Sequence, residues 1–275
     1  MNGAQAIRQT LDQQLAAGSL HLLGEALELS PATTGLLAAH PQRVHLLPAA
    51  DAGLVGLATG LCLSGSSAVV ELADPSALSA ALALLVEADT LGRDEFPLRL
   101  VLRVPCGPDA AALPLAGAPG VAIASPSSAA ELQPMLRAAL SHGRPVVLLE
   151  PRSVLAAPLA ELPELPLGTL RCLREGEHGT VLAFGPAVAE AMEAAELLAA
   201  EGVQVEVLDL RSLRPLDLEG IAAHVSQTGR AVLTGADGLL SQVVQAAFLR
   251  LEAPVGLASP SSAAIAAAMR ATLQY

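Results

Sequence analysis

Two hydrophobic patterns alternate along the chain. In some stretches apolar residues recur every three or four positions, and in others they run continuously for four to six. Ile7, Leu11 and Leu15 share one face of a helix predicted over Ala4–Ala17, and short apolar runs predict strands at Leu20–Leu23 and Val44–Leu47. Gly53–Ser64 mixes small and apolar residues, as in a helix packed closely on a sheet. A strand at Ala68–Leu72, a helix at Ser76–Leu91 and a strand at Arg99–Val104 follow. Next come a strand at Val121–Ala124, a helix opened by Ser125-Pro126-Ser127-Ser128, and a strand at Val146–Leu149. That last strand is apolar throughout, as expected where helices cover both faces of a parallel sheet.

Pro151–Pro166 interrupts this rhythm with four prolines, which predicts a linker without regular helix. The alternation then restarts. Strands are expected at Thr180–Phe184, Val203–Leu208, Ala231–Thr234 and Val255–Ala258. Helices are expected at Val188–Glu201, Leu218–Val225, Gly238–Leu251 and Ser261–Leu273. The pattern predicts an α/β protein of two doubly wound domains, residues 1–150 and 167–275, joined by 151–166.

Composition narrows the chemistry. A length of 275 residues fits two domains at roughly 150 residues each. Hydrophobic residues make up 52% but aromatic residues only 1%, so Ala, Leu and Val must build the core and few rings can stack on a base or cofactor. The formal charge is −12, and all 15 basic residues are Arg. Without Lys there is no Schiff-base lysine and no P-loop lysine. A net acidic chain is also a poor nucleic-acid ligand.

Cys62, Cys106 and Cys172 are widely spaced and odd in number, so the expectation is buried thiols in a reducing cytoplasm rather than disulfides or zinc ligands. The six His form no i, i+4 pair and no His-Glu-x-x-His string, and no metal site is expected. The amino terminus lacks a signal-peptide pattern, and the uncharged run Ala110–Ala130 is broken by Pro114, Pro119 and Pro126. The expectation is a soluble cytoplasmic protein without membrane partners.

The segment Gly179–Asp217, with Glu-Val-Leu-Asp-Leu-Arg-Ser-Leu-Arg-Pro-Leu-Asp at its end, resembles the carboxy-terminal domain of transketolase-like proteins; Thr228–Leu233 follows at the family's spacing. Leu20–Leu27, Thr33–Val44, Leu47–Gly65, Val69–Leu72 and Arg144–Arg152 match in order. Together they resemble the beta subunit of the thiamine-diphosphate-dependent decarboxylase component of 2-oxo acid dehydrogenase complexes. The resemblance implies a pyrimidine-binding domain followed by a transketolase carboxy-terminal domain. It also implies pairing with itself and with an alpha subunit that holds the diphosphate and magnesium.

The family's central beta-subunit residue is a Glu that hydrogen-bonds the aminopyrimidine and promotes deprotonation of the thiazolium carbon. Here the matching position is Asp51, one methylene shorter, which serves either the cofactor or the start of the helix expected from Gly53. Glu25 matches a second acidic position near the same site, or is a solvated acid at a strand end. Several features depart from the family. No aromatic residue follows Glu71, where the family stacks a ring on the pyrimidine. The loop Cys106–Val121 has no His, where the family carries one for acyl transfer. Arg144 stands where the resemblance implies the family's potassium-binding loop, and the sequence ends at Tyr275 where the resemblance implies a longer tail. Arg211 and Arg214 are expected to pair with Asp209 or Asp217.

Three readings remain open. The chain is a functioning beta subunit with Asp51 in the Glu role, a degenerate beta-like subunit serving assembly or regulation, or a diverged enzyme with another small ligand. The missing ring and missing His favour the second. The spaced glycines Gly53, Gly56 and Gly60, with Leu54, Leu57 and Leu61 beside them, are expected to form a subunit interface.

Overall fold

The computed structural model describes residues 1–48, 51–92, 96–107, 118–159, 165–235 and 237–275, with the backbone alone at 51, 52, 91 and 92. They form two units, Met1–Leu167 and Gly168–Tyr275.

The first unit runs α1 (Gly3–Ala16), β1 (Leu20–Gly24), α2 (Leu36–Ala39), β2 (Val44–Leu46), α3 (Asp51–Leu63), β3 (Ser67–Glu71), α4 (Leu78–Gly92), β4 (Leu100–Cys106), β5 (Ala122–Ala124), α5 (Ala129–Ser141), β6 (Val146–Pro151) and α6 (Arg152–Ala156). Its strands β5, β6, β4, β3, β1 and β2 neighbour one another in that order, and every pair is parallel. Alternate residues Leu20, Leu22, Val69, Val101, Val146 and Leu148 point to one face, where they meet Ile7, Leu11 and Leu15 of α1 and Leu132, Met135 and Leu136 of α5. Helices α3 and α4 pack together, and α3 also packs on β1 and β3. Asn2 and Gln5 close a reciprocal cap on α1 at 2.9 and 3.0 Å, which fixes where that helix starts.

The second unit runs β7 (Arg171–Arg174), β8 (Gly179–Ala183), α7 (Ala187–Ala200), β9 (Val205–Asp209), β10 (Ser212–Arg214), α8 (Leu218–Thr228), β11 (Ala231–Thr234), α9 (Leu240–Ala247), β12 (Gly256–Ala258) and α10 (Ser262–Thr272). Strands β12, β11, β8 and β9 are parallel neighbours, and β7 closes the edge antiparallel to β9. Val181, Val205, Val207 and Val232 pack under α7 and α10, while the alternate residues Thr180 and Glu206 face the opposite side.

Some elements differ from the sequence expectation. The helix expected over Gly238–Leu251 is three pieces, a 3₁₀ turn at Asp237–Leu239, α9, and a second 3₁₀ turn at Phe248–Arg250. Only Val243 and Ala247 of α9 are buried, so little apolar contact holds a longer regular helix. The Pro-rich stretch does contain a helix, α6, because Pro151 precedes its first residue and costs no interior hydrogen bond. Helix α3 begins at Asp51, two residues before the expected start. Strand β7 gave no apolar run, because its central residues are exposed on a sheet edge.

Candidate functional site

The carboxyl ends of β3, β4 and β6 carry charge in an otherwise apolar sheet. Arg103 sits in β4 with Glu71 beside it on β3 and Glu150 on β6. All three are buried, and Arg103 is completely so. Arg103 donates Nε to Glu150 Oε1 at 2.9 Å and Nη2 to Glu150 Oε2 at 2.6 Å. Its remaining Nη1 donates to Glu71 Oε2 at 2.5 Å. A planar guanidinium matches a carboxylate in this two-pronged fashion, and a third bond to a second carboxylate uses another edge of the same fork. Burial pushes the Glu150 carboxyl up against the opposing pull of Arg103. The two flanking carboxylates hold the Arg103 guanidinium protonated despite its burial.

Above this triad lies a cleft of about 360 Å³. Its wall is built by Ala26, Leu29 and the Ser30–Ala32 turn after β1, Glu71–Ala73 after β3, Pro105 of β4, and Arg152, Leu155 and Ala156 of α6. Asn2 and Ala4 of α1 complete it. Parallel α/β sheets present ligand clefts at the carboxyl ends of their strands, and this cleft stands at that end. Leu29 is exposed there, whereas Leu72 and Ala32 are buried beneath it.

The structure separates the residues that the sequence singled out. Glu25 follows the last residue of β1 and is exposed, and it is not part of the cleft wall. The backbone of Asp51 opens α3, and its side chain lies outside the described residues. Most of the loop Cys106–Val121 also lies outside them. Glu71, Arg103 and Glu150 were not recognised as a group. The available signal was a charged residue within each of three apolar strand runs, Val-Val-Glu-Leu, Leu-Arg-Val and Leu-Leu-Glu-Pro.

The described wall does not suit a thiamine ring. No lining residue carries an aromatic side chain, and Leu72 and Ala73 stand where the resemblance implies a stacking ring. The only carboxylate in the described wall, Glu71, is engaged by Arg103. The loop where the resemblance implies a potassium site carries an ion pair of its own. Arg144 donates Nε and Nη2 to the two carboxylate oxygens of buried Asp89, at 2.9 and 2.7 Å. Gly120, at φ +84°, lies against this pair, and a Cβ there would fall on the Asp89 carboxylate. A fixed cation therefore sits in that loop as part of the chain.

The cysteines divide. Burial pushes Cys62 up to about 11 and Cys106 to about 12, so both stay protonated thiols at neutral pH. Cys172 corrects the expectation of three buried thiols, since it is exposed on β7. Asp209 accepts from the Arg211 backbone N–H at 2.9 Å, and the Arg211 guanidinium donates to the Thr169 carbonyl at 2.7 Å. Asp217 caps α8 through the Gly220 N–H at 2.8 Å. On α3, Leu54 is buried in its own core, which corrects its assignment to an outward face. Among its described side chains, Gly53, Gly56, Leu57, Gly60 and Leu63 face out.

Comparison with known proteins gives a consistent likeness. Residues 168–265 match the family model "Transketolase, C-terminal domain". The beta subunit of the pyruvate dehydrogenase E1 component of Acholeplasma laidlawii is 30% identical, over 90% of this chain and 86% of that protein. The mitochondrial beta-2 subunit of the rice enzyme (Oryza sativa subsp. japonica) is 31% identical, over 93% of this chain and 77% of that one. Among solved structures, a split-gene transketolase described as an inactive beta4 tetramer superposes with a TM-score of 0.83 at 21% identity, covering 100% of this chain and 98% of that one.

Proposed function

Because the chain belongs to the family of pyruvate dehydrogenase E1 component beta subunits, transketolase-like in fold, we propose that it is a beta-like subunit that has lost catalysis and serves assembly or regulation. The observation that carries this reading is the cleft wall. Where the resemblance implies a ring stacked on the aminopyrimidine, the wall offers Leu72 and Ala73, and Glu71 is held by Arg103. Base–aromatic stacking is worth about 1–3 kcal/mol, so its loss alone weakens ring binding by roughly one to two orders of magnitude. The sequence adds the absence of a His between Cys106 and Val121, the position that serves acyl transfer in the family.

The outward face of α3 supports an assembly role. It presents Gly53, Gly56 and Gly60 with Leu57 and Leu63 exposed beside them, a surface that a second helix approaches closely. The partner is a second copy of this chain, an alpha-like decarboxylase subunit, or both in turn.

The deciding experiment is a thiamine diphosphate and magnesium titration of this chain, alone and with an alpha-like subunit. The reading expects no 2-oxo acid decarboxylation above a no-protein control in the chain alone. It also expects an alpha subunit's activity to be unchanged by Asp51→Ala in this chain. Turnover that Asp51→Ala abolishes and Asp51→Glu preserves or raises would establish instead a functioning beta subunit with Asp51 in the Glu role.

A further inference from the structure

Three donor residues far apart in sequence meet on the α8 side of the second sheet. Cys172 comes from the edge strand β7, Glu206 from β9 and His224 from α8, and their ligand atoms all lie within 4.8 Å of one another. His224 Nδ1 is 2.6 Å from Glu206 Oε1, and Cys172 Sγ is 3.9 Å from the same oxygen. Glu206 is buried, while Cys172 opens the group to solvent. We infer that Cys172, Glu206 and His224 bind a divalent transition-metal ion of the zinc class, with water in the fourth position.

The donor set selects the ion. Thiolate, imidazole and carboxylate together suit zinc, whereas magnesium and calcium take oxygen donors. Metal–ligand bonds of about 2.0–2.3 Å around a tetrahedral centre place ligand atoms roughly 3.2–3.7 Å apart. The sulfur–oxygen separation is already close to that, and the nitrogen–oxygen separation must open by only about 0.6 Å. The His224 side chain is 28% exposed, so the ring is not packed on every side against that adjustment.

The carboxylate is already oriented for the role. The Thr180 hydroxyl donates to Glu206 Oε2 at 3.0 Å, and Thr180 is itself held by Thr228 at 2.8 Å. An oxygen fixed from behind, with its partner oxygen aimed at Cys and His, is the outer-shell arrangement that positions metal-ligating carboxylates. The charges also balance, because a dication with one thiolate, one carboxylate and a neutral imidazole sums to zero. That matters where Glu206 is shielded from water.

Burial and the neighbouring Glu206 carboxylate push the Cys172 thiol up, so it enters the reaction as the thiol. On binding, Sγ, Nδ1 and Oε1 displace water ligands of the hydrated ion, one water staying in the fourth position, and the S–H bond breaks. That proton leaves to solvent, and the imidazole meets the metal through an Nδ1 that carries no proton. Binding releases the thiol proton, so affinity rises with pH.

The test is titration of the chelator-stripped full chain with zinc ion against a chromophoric competitor, followed by cobalt substitution. The inference expects one tight equivalent, a thiolate-to-cobalt charge-transfer band, and a zinc-dependent rise in Tm. Cys172→Ser, a surface change that leaves the fold intact, should lower affinity at least ~10-fold and remove the band; Thr180→Val should lower affinity about 10–100-fold. No stoichiometric binding, or zinc bound equally well by Cys172→Ser, would overturn the inference and leave an ordinary Glu206–His224 pair. The second unit alone carries this group, so the result stands apart from any thiamine diphosphate outcome.

Discussion

The guanidinium of Arg103 meets the carboxylate of Glu150 side-on, with two hydrogen bonds of 2.9 and 2.6 Å, at the centre of the first sheet and out of contact with water. Glu71 takes a third bond from the other side. Removing one partner of such a group strands a buried charge, whereas replacing all of it with apolar residues need not cost stability. Arg103→Met should therefore lower unfolding free energy by about 3–5 kcal/mol. Combining it with Glu71→Leu and Glu150→Leu should recover much of that loss. Urea denaturation of the two variants measures both outcomes, and a single Arg103→Met variant as stable as the parent contradicts the account.

The Arg144 guanidinium pairs with buried Asp89 in the loop where the resemblance implies a bound potassium ion. The Tm should be the same in potassium chloride and in tetramethylammonium chloride at equal ionic strength. Arg144→Ala removes two donors from the buried Asp89 carboxylate and should destabilise the protein by about 1–3 kcal/mol. A potassium-specific rise in the parent's Tm would show that a cation still binds.

His21 and His45 stack with ring centroids 5.3 Å apart, and His21 Nδ1 lies 3.0 Å from His45 Nε2. Burial lowers the His21 pKa, and the charges of His45 and Arg43 lower it further. The unfolded state, with His near 6.5, therefore binds a proton that the folded state resists. Stability should rise with pH through the window below about 6.5 and level off above it. His21→Gln should flatten part of that acid limb, as read from urea midpoints on either side of pH 6.5. An unchanged slope in the variant would assign the acid limb to other groups.

A Cβ at Gly56 would meet nothing within 4 Å in the single chain. Gly56→Leu should therefore fold at least as well as the parent, since replacing a helical Gly is worth up to about 1 kcal/mol. If the α3 face joins two chains, the same leucine overpacks the joint and dissociates it. Light scattering should then report an oligomer for the parent and a 27.8 kDa species for the variant. A parent that is itself monomeric at micromolar concentration, or a variant that stays assembled, rejects the interface.

The sequence by itself determined the type of most elements and the family. Period-four and continuous apolar runs separate α1 from β1 and β4 from α5, and the Asp209–Asp217 region carries a specific motif. It failed at β7, where Arg171 to Arg174 alternate across an edge strand with no apolar run to mark it. It failed again at α9, whose length depends on how much of its surface the sheet covers. Above all, local patterns do not encode which strands become neighbours. Arg103 lies 32 residues from Glu71 and 47 from Glu150, and Cys172 lies 34 from Glu206. Parallel crossovers bring each of the first set of strands back beside β4, and the antiparallel edge pairing of β7 brings Cys172 to β9. Register then decides which side chains share a face. The charged triad and the Cys172–Glu206 contact are products of that register, because a shift of one residue would turn each of these strand residues to the other side of its sheet.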